Sequence, residues 1–425
     1  MAQDHLNLTH TPGGIPVIVE RLPYFRSVAL SVNVGVGSRD EPQRLCGIAH
    51  LLEHLMFKGT SERSTKEISE IIEGAGGELN GYTSKELTSF HVFSLDETAE
   101  TAQNILSDMI VNPLIDEEHV ELERNVVTQE INMLVDEPED YSRVLLDQTI
   151  WRGHPMATPE SGEVECIKRI ETFDLRSFFS ENYRPPNLTV VACGHVDKKK
   201  VLRWASESFD HLPRARKAPE RIPPVTRSSI NVFPREGDQA YVEMGFPGLD
   251  AKNQDRHAAW LACGVIGAGT SSRLYQRIRE DEGLVYTIYT YPQLYSDCGL
   301  IETHFSTESE KAETVIRHIA EELKRIKEDG LVEGELERAK RWVKGTLVRK
   351  LENTESRMYW LGEHYMMTGE VMPLDQILED FDRVTADDVV RVSNELFRRN
   401  KLCVVLHAPG TQGKQIAKNI KTLDF

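Results

Sequence analysis

The segment Arg169–Val191, RIETFDLRSFFSENYRPPNLTVV, aligns without a gap with Arg383–Val405, RVTADDVVRVSNELFRRNKLCVV. The offset is 214 residues (383 − 169), and the same offset places the ELER run that begins at Glu121 on the one that begins at Glu335. Each aligned segment has the pattern of a helix followed by a strand. Two separate matches at one offset predict a tandem duplication of one domain of about 200 residues.

A segment rich in proline and arginine, LPRARKAPERIPPVTR at 212–227, separates the two copies. It has neither helical nor strand periodicity, which indicates a linker. The chain of 425 residues is too long for one hydrophobic core. We therefore predict an N-terminal domain at 1–211 and a related C-terminal domain at 228–425.

Both copies mix helical and strand patterns. Val28, Leu30, Val32 and the following alternate residues indicate a strand that ends near Val36, and 14–20 is expected to be its hairpin partner. Further strands are predicted at 89–94, 188–193 and 402–407, and helices at 47–57, 66–74, 97–111, 117–135 and 175–181. This mixture predicts an α+β fold, in which each half is an α/β sandwich with a mixed, mostly antiparallel sheet covered on one face by helices.

The composition is that of an ordinary globular protein, with 40% hydrophobic residues and a net charge of −18. The charge argues against nucleic-acid binding and is compatible with basic peptides, although it can equally serve solubility. No apolar run suits a membrane helix or a secretion signal, so we expect no membrane partner and a cytoplasmic protein. The six scattered cysteines form no CxxC pair, so reduced, buried thiols are expected, without a cysteine metal site.

The sharpest local motif is HLLEH at 50–54. On a helix, His50, Glu53 and His54 share one face, so two imidazoles and a carboxylate project together. Neutral imidazoles suit Zn²⁺, and Glu53 between them can take a proton from a metal-activated water. A chance HxxEH on a helix is the competing explanation, which makes a further protein ligand the important question.

The segment 117–135 supplies two candidates for that ligand. Glu123 and Glu130 lie seven residues apart, so both occupy one face of the predicted helix. A carboxylate beside a core-facing stripe is costly unless it is paired or binds a metal. From the residues alone, either glutamate can be the ligand, with the other supporting a ligand histidine.

Together these motifs resemble the pitrilysin family of zinc peptidases, the inverzincins, and most closely their mitochondrial-processing-peptidase-like branch and its bacterial relatives. In that family HxxEH is followed by a glutamate ligand about 76 residues on, and here 130 − 54 = 76. The resemblance covers the whole chain. It implies that His50, His54 and Glu130 bind one zinc ion, and that Glu123 is the supporting acid.

The same resemblance assigns roles to other residues. It implies that Asn80, Gly81 and Tyr82 belong to an edge strand that pairs with extended substrate, although a glycine-rich turn explains their spacing equally well. It also implies that Arg279 holds the substrate carbonyl and that Tyr286, seven residues later, hydrogen-bonds the oxyanion. Without it, the last two are ordinary surface-helix and strand residues.

The resulting prediction is a zinc metalloendopeptidase that hydrolyses peptides or unfolded segments, with Glu53 as general base. The two halves are expected to face each other across a cleft, since only the first carries the metal motif. The resemblance implies a homodimer, or a heterodimer with a non-catalytic relative. The rivals are a non-catalytic scaffold, which tends to lose metal ligands, and a structural zinc site, which needs a fourth protein ligand.

Overall fold

The computed structural model describes residues 5–214, 220–423 and 425, so residues 215–219 of the predicted linker lie outside the described residues. The strands are β1 Leu6–His10, β2 Pro16–Arg21, β3 Ser27–Val34, β4 Glu78–Thr83, β5 Thr88–Leu95, β6 Leu188–Gly194, β7 Ser229–Pro234, β8 Gln239–Pro247, β9 Ile288–Leu294, β10 Gly299–Glu308 and β11 Cys403–Ala408. The helices are α1 Ile48–Met56, α2 Thr65–Gly74, α3 Ala99–Val111, α4 Glu117–Asp136, α5 Pro138–Ile150, α6 Val164–Ile167, α7 Thr172–Asn182, α8 Lys198–Phe209, α9 Arg256–Gly267, α10 Ala312–Glu328, α11 Glu335–Lys350, α12 Thr354–Thr368, α13 Leu374–Arg383, α14 Ala386–Leu396 and α15 Gly410–Asn419.

The first compact unit comprises the described residues of 5–132, 158–221 and 350–373. Its six-stranded sheet has the order β1-β2-β6-β3-β5-β4, with β2 and β6 parallel and the other pairs antiparallel. Strand β3 is buried along nearly its whole length, because both of its faces are covered. Strand β4 ends the sheet and is therefore an edge strand.

The second unit comprises 133–157, 222–349 and the described residues of 374–425. Its five-stranded sheet has the order β7-β11-β8-β10-β9, with β7 and β11 parallel. Setting β7, β11, β8, β10 and β9 against β2, β6, β3, β5 and β4 gives the same order in both sheets. This agreement confirms the predicted fold class, a duplicated α/β domain with mixed sheets.

Each unit contains one helix from the other half of the chain. Helix α12 packs on β3 and β6 of the first sheet, where Met358 and Leu361 are buried against Ile18, Ala29 and Val191. Helix α5 packs correspondingly on β8 and β11 of the second sheet. The prediction of helices on one face of each sheet is therefore incomplete, and neither unit is a continuous stretch of sequence.

The remaining face of the first sheet carries the main core, with the apolar sides of α1, α3, α4, α7 and α8. One predicted pairing is wrong. Strand β2 is not the hairpin partner of β3, because β6 lies between them and pairs with both. Among the described residues, no helix is long and apolar enough to cross a bilayer.

Candidate active site and metal centre

Helix α1 carries the HLLEH motif and is held in place by its buried leucines and by contacts at its N-terminus. Leu51, Leu52 and Leu55 are fully buried in the main core, which turns the histidines to the opposite side. Before the helix, Gly47 adopts a left-handed conformation with φ of 90°. The buried Glu41 carboxylate accepts hydrogen bonds from the Gly47 and Ala49 amides at 2.7 and 2.8 Å, so it satisfies donors at the helix start.

Three predicted ligands converge in the first unit. Glu130 Oε2 lies 3.4 Å from His54 Nε2 and 3.8 Å from His50 Nε2, and one ligand atom from each side chain lies within 4.8 Å of the others. Tetrahedral zinc with bonds of about 2.1 Å separates its ligands by about 3.4 Å, so this metal site fits zinc. In the described part of the chain, no fourth histidine, cysteine or carboxylate joins the group, which is typical of a catalytic rather than a structural centre.

His50 is electrostatically prepared to be a ligand. Burial, with a smaller contribution from the neighbouring His54, lowers the pKa of His50 to about 4. The imidazole is therefore neutral at physiological pH, which is the form that binds metal ions. The two imidazole rings lie edge to face with centroids 4.7 Å apart.

Glu123 lies behind His54 rather than with the ligands. Its Oε2 is 3.0 Å from His54 Nδ1, and its Oε1 is 2.7 Å from Lys58 Nζ. A hydrogen bond from Nδ1–H to Glu123 leaves the lone pair of Nε2 available to a metal ion, and Nε2 is the nitrogen that lies 3.4 Å from Glu130 Oε2. The geometry thus favours Glu130 as ligand and Glu123 as the support of His54, the assignment that the resemblance implied and that the spacing alone left open.

Glu53 is buried beside the metal site, with 8% of its surface exposed. Thr83 Oγ1 donates a hydrogen bond to Glu53 Oε2 at 2.8 Å. Burial raises the pKa of Glu53, and the Thr83 hydrogen bond partly offsets that rise. Sequence reasoning did not single out Thr83, because a contact 30 residues away in sequence leaves no local pattern.

Strand β4 contains the three residues that were predicted to contact substrate. The edge position expected for them is present, and Asn80 is exposed. Gly81 faces Phe57, where a side-chain Cβ would come within 3.0 Å of the ring. The Tyr82 hydroxyl donates a hydrogen bond to Glu363 Oε1 of α12 at 3.0 Å, and its role as a substrate contact stays a prediction.

Arg279 and Tyr286 lie in the second unit and contact each other. Arg279 belongs to the π-helical turn Tyr275–Asp281, and its Nε donates to the Tyr286 carbonyl at 2.9 Å. The guanidinium lies over the Tyr286 ring, 5.2 Å from the centroid. The Tyr286 side chain is 82% exposed, so its phenol is available to a ligand.

The expectation of unpaired cysteines is wrong for one pair. Cys46 and Cys166 are joined as a disulfide, with Cα atoms 5.6 Å apart and a sequence separation of 120. A separation of that length cannot be read from cysteine spacing, since it is created by the fold. Among the other four, Cys193, Cys263 and Cys403 are buried, as expected, and Cys298 is half-buried.

Comparison with known proteins identifies the family. The model described as "Insulinase (Peptidase family M16)" matches residues 16–162, and "Peptidase M16 inactive domain" matches residues 170–342. An uncharacterized zinc protease of Streptomyces coelicolor is 34% identical over 407 residues, covering 93% of this chain and 88% of that protein. The chain belongs to peptidase family M16. The family membership predicted from the sequence is thereby confirmed.

Other relatives extend this M16 assignment. The uncharacterized zinc protease YmxG of Bacillus subtilis is 32% identical over 400 residues, with coverage of 93% of this M16 chain and 97% of that protein. A protease from Helicobacter pylori has the same fold, with a TM-score of 0.87, 22% identity and coverage of 95% and 99%. A Pseudomonas fluorescens structure titled as a peptidase M16 inactive domain gives 0.86 and 18%, with coverage of 95% and 98%. Two of these relatives are named zinc proteases, and the group of His50, His54 and Glu130 in this chain has the composition of a zinc site.

Proposed function

We propose that this M16 chain is a zinc-dependent metalloendopeptidase that hydrolyses peptides or extended, unfolded segments. The observation that carries the proposal is the convergence of His50, His54 and Glu130 next to the buried carboxylate of Glu53. Three protein ligands and an adjacent base are the components that metal-assisted hydrolysis requires. One zinc ion is expected in each chain.

When bound, zinc would supply Lewis-acid chemistry, polarising the scissile carbonyl and lowering the pKa of a water at the open position. The chain's own contribution centres on Glu53. Thr83 fixes its Oε2, so we assign Oε1 to accept the proton of the attacking water and to deliver it to the leaving amine. The raised pKa of Glu53 makes it a stronger base than an exposed glutamate.

Two further assignments belong to this proposal. Extended substrate would add to the sheet along β4, where main-chain groups of an edge strand can pair with a peptide irrespective of its sequence. Arg279 and Tyr286 would donate hydrogen bonds to the substrate carbonyl and to the developing oxyanion. The exposure of Tyr286 supports this role, and Tyr286→Phe is expected to lower kcat while zinc content stays unchanged.

The decisive experiment combines zinc analysis with hydrolysis of a quenched-fluorescence peptide library by the wild-type protein and the Glu53→Gln variant. We expect the variant to retain one zinc ion per chain and to lose about 10²- to 10⁴-fold in rate, which is what a general acid–base residue contributes. Glu73→Gln, at an exposed position of α2, is the matched control and should hydrolyse normally.

Normal turnover by Glu53→Gln would overturn the assigned role of that residue. A wild-type protein that binds zinc but cleaves nothing in the library would overturn the peptidase assignment in favour of a scaffold. Product masses from the same library would give the cleavage preference, including any preference for basic peptides. We also propose a homodimer, which sedimentation of the zinc-loaded protein tests directly.

A further inference from the structure

Cys46 and Cys166 form a sulfur pair that plays no part in the proposed hydrolysis. Cys46 is 5% exposed, whereas Cys166 on the short helix α6 is half-buried. The two sulfurs are bonded in the structure. The Glu163 carboxylate lies within 4.8 Å of both sulfurs, so the three side chains together could also hold a metal ion. One sulfur of the pair is therefore accessible to small reagents, and the other is shielded.

The position of Cys46 connects this pair to the metal site. Cys46 immediately precedes Gly47, the N-cap of α1, and His50 lies in the first turn of that helix. The loop before α6 packs closely here, because a Cβ on Gly162 would lie only 2.5 Å from the Cys46 carbonyl oxygen. The bond to Cys166 thus ties the chain just before α1 to the segment 161–167.

The other cysteines differ from this pair in accessibility and in chemistry. Burial raises the pKa of the Cys403 thiol to about 11, and the pKa values of Cys193 and Cys263 are raised too. Buried thiols of high pKa react slowly, since the thiolate is the nucleophile. Cys298 is half-buried, which makes it the appropriate control for accessibility.

We propose that Cys46 and Cys166 are a reversible dithiol–disulfide site, which exchanges with low-molecular-weight thiols and disulfides and whose oxidised state holds α1 more firmly around zinc. The first part of this proposal is independent of peptidase activity. The second part rests on zinc binding at His50, His54 and Glu130, but not on hydrolysis.

The oxidation proceeds by two exchange steps. The Cys166 thiolate attacks a small disulfide RSSR, forming a mixed disulfide and releasing one RS⁻. The Cys46 thiolate then attacks the Cys166 sulfur of that mixed disulfide and releases the second RS⁻. The two thiol protons leave with the released thiolates, so the balance is protein dithiol plus RSSR giving protein disulfide plus two RSH. Reduction by excess thiol is the reverse.

The first experiment equilibrates the full-length protein in buffers of defined reduced and oxidised dithiothreitol, traps free thiols with an alkylating reagent and maps them by mass spectrometry. We expect Cys46 and Cys166 to change together in one two-electron transition, while the alkylation of Cys298 stays the same in all buffers. Independent alkylation of the two residues would overturn the proposal. So would a second metal ion per chain that is lost in Cys46→Ser, since the pair would then be a metal site.

The second experiment measures zinc release to a chromophoric chelator from the oxidised and the reduced protein. We expect release to be roughly 2- to 10-fold faster after reduction, the range of moderate coupling between neighbouring sites. Cys166→Ser should release zinc at the fast rate in both buffers, and Cys298→Ser should behave as wild type. Equal rates of zinc release from oxidised and reduced wild-type protein would overturn the coupling. This comparison uses wild-type protein alone, so it does not depend on the folding of any variant.

The melting temperature gives an independent readout. Opening a loop of 120 residues is expected to lower Tm by roughly 4–8 °C, because the bond restricts the unfolded chain. An unchanged Tm in wild-type protein whose thiols are shown to be free would contradict a stabilising tie.

Discussion

Replacing Glu123 by glutamine tests how a buried carboxylate outside the ligand set supports a metal centre. The Glu123 side chain is only 5% exposed and holds two partners, His54 Nδ1 at 3.0 Å and Lys58 Nζ at 2.7 Å. Glutamine keeps the shape and can accept one hydrogen bond, but it cannot neutralise Lys58. Loss of such support generally weakens metal binding by about 10- to 100-fold, which corresponds to about 1.4–2.8 kcal/mol.

The assay is competition for zinc against a chromophoric chelator, with circular dichroism to establish that each variant is folded. Glu130→Gln should lose more affinity than Glu123→Gln, because it removes a ligand. Glu121→Gln, on the exposed side of the same helix, removes only a surface ion pair with Arg124 and should bind zinc as wild type does. Unchanged affinity in Glu123→Gln would refute the reasoning, and a loss larger than that of Glu130→Gln would make Glu123 the ligand.

A double variant separates the two partners of Glu123. If the carboxylate acts by orienting His54, Lys58→Met should have little effect on zinc affinity, and the double variant should bind as weakly as Glu123→Gln alone. If the unpaired ammonium causes the loss, Lys58→Met should restore affinity to Glu123→Gln. The cycle measures the coupling directly.

Three further predictions concern stability, each measured by urea unfolding. Gly47→Ala should lower the free energy of unfolding by at least about 1–2 kcal/mol, because the φ of 90° is unfavourable for alanine and the added Cβ would meet the Ser161 carbonyl. The control is Gly74→Ala, at the end of α2 with open space around it, which should be neutral or slightly stabilising. Equal effects of the two substitutions would contradict this account. Burial lowers the pKa of His91 to about 4, below the 6.5 of an unperturbed histidine. Only the unfolded state therefore takes up a proton between pH 6.5 and 4, and stability is lost as the pH falls through that range. His91→Gln should reduce this loss by about 3 kcal/mol, and an unchanged dependence of stability on pH would exclude His91 as its cause. Burial raises the pKa of Glu302 to about 8, so between pH 4.5 and 8 the folded state keeps a proton that the unfolded state gives up. Stability is therefore lost as the pH rises through that range. Glu302→Gln should flatten this decline in stability, and a decline as steep as in wild type would count against Glu302 as its cause.

The sequence predicts well the features that depend on residues close to one another along the chain. The three leucines of α1 and the HLLEH spacing lie within one helix, so helical geometry alone places the imidazoles and Glu53 on one side. The pair Glu123 and Glu130 follows the same rule on α4. The internal repeat predicted that the two halves share one fold, because two copies of one sequence pattern are expected to form the same sheet twice.

The features that escaped prediction depend on contacts between distant segments. Strand β6 pairs with β2 and β3 after more than 150 intervening residues, so the hairpin expected from sequence proximity does not form. The bond between Cys46 and Cys166 and the hydrogen bond from Thr83 to Glu53 have the same origin. The hydrogen bond from Tyr82 to Glu363 depends on α12, whose own amphipathic pattern does not reveal which sheet it covers.

The placement of α12 has a consequence for synthesis on the ribosome. The last strand of the first sheet ends at Gly194, and the helix that covers one face of that sheet ends at Thr368. The interval is 368 − 194 = 174 residues, or roughly 9–35 s at translation rates of about 5–20 residues per second. During this time the nascent first unit exposes the apolar side chains of Ile18, Ala29 and Val191 that α12 later buries. The chain must therefore emerge almost completely before the first unit is finished, and this apolar sheet face stays uncovered for that interval.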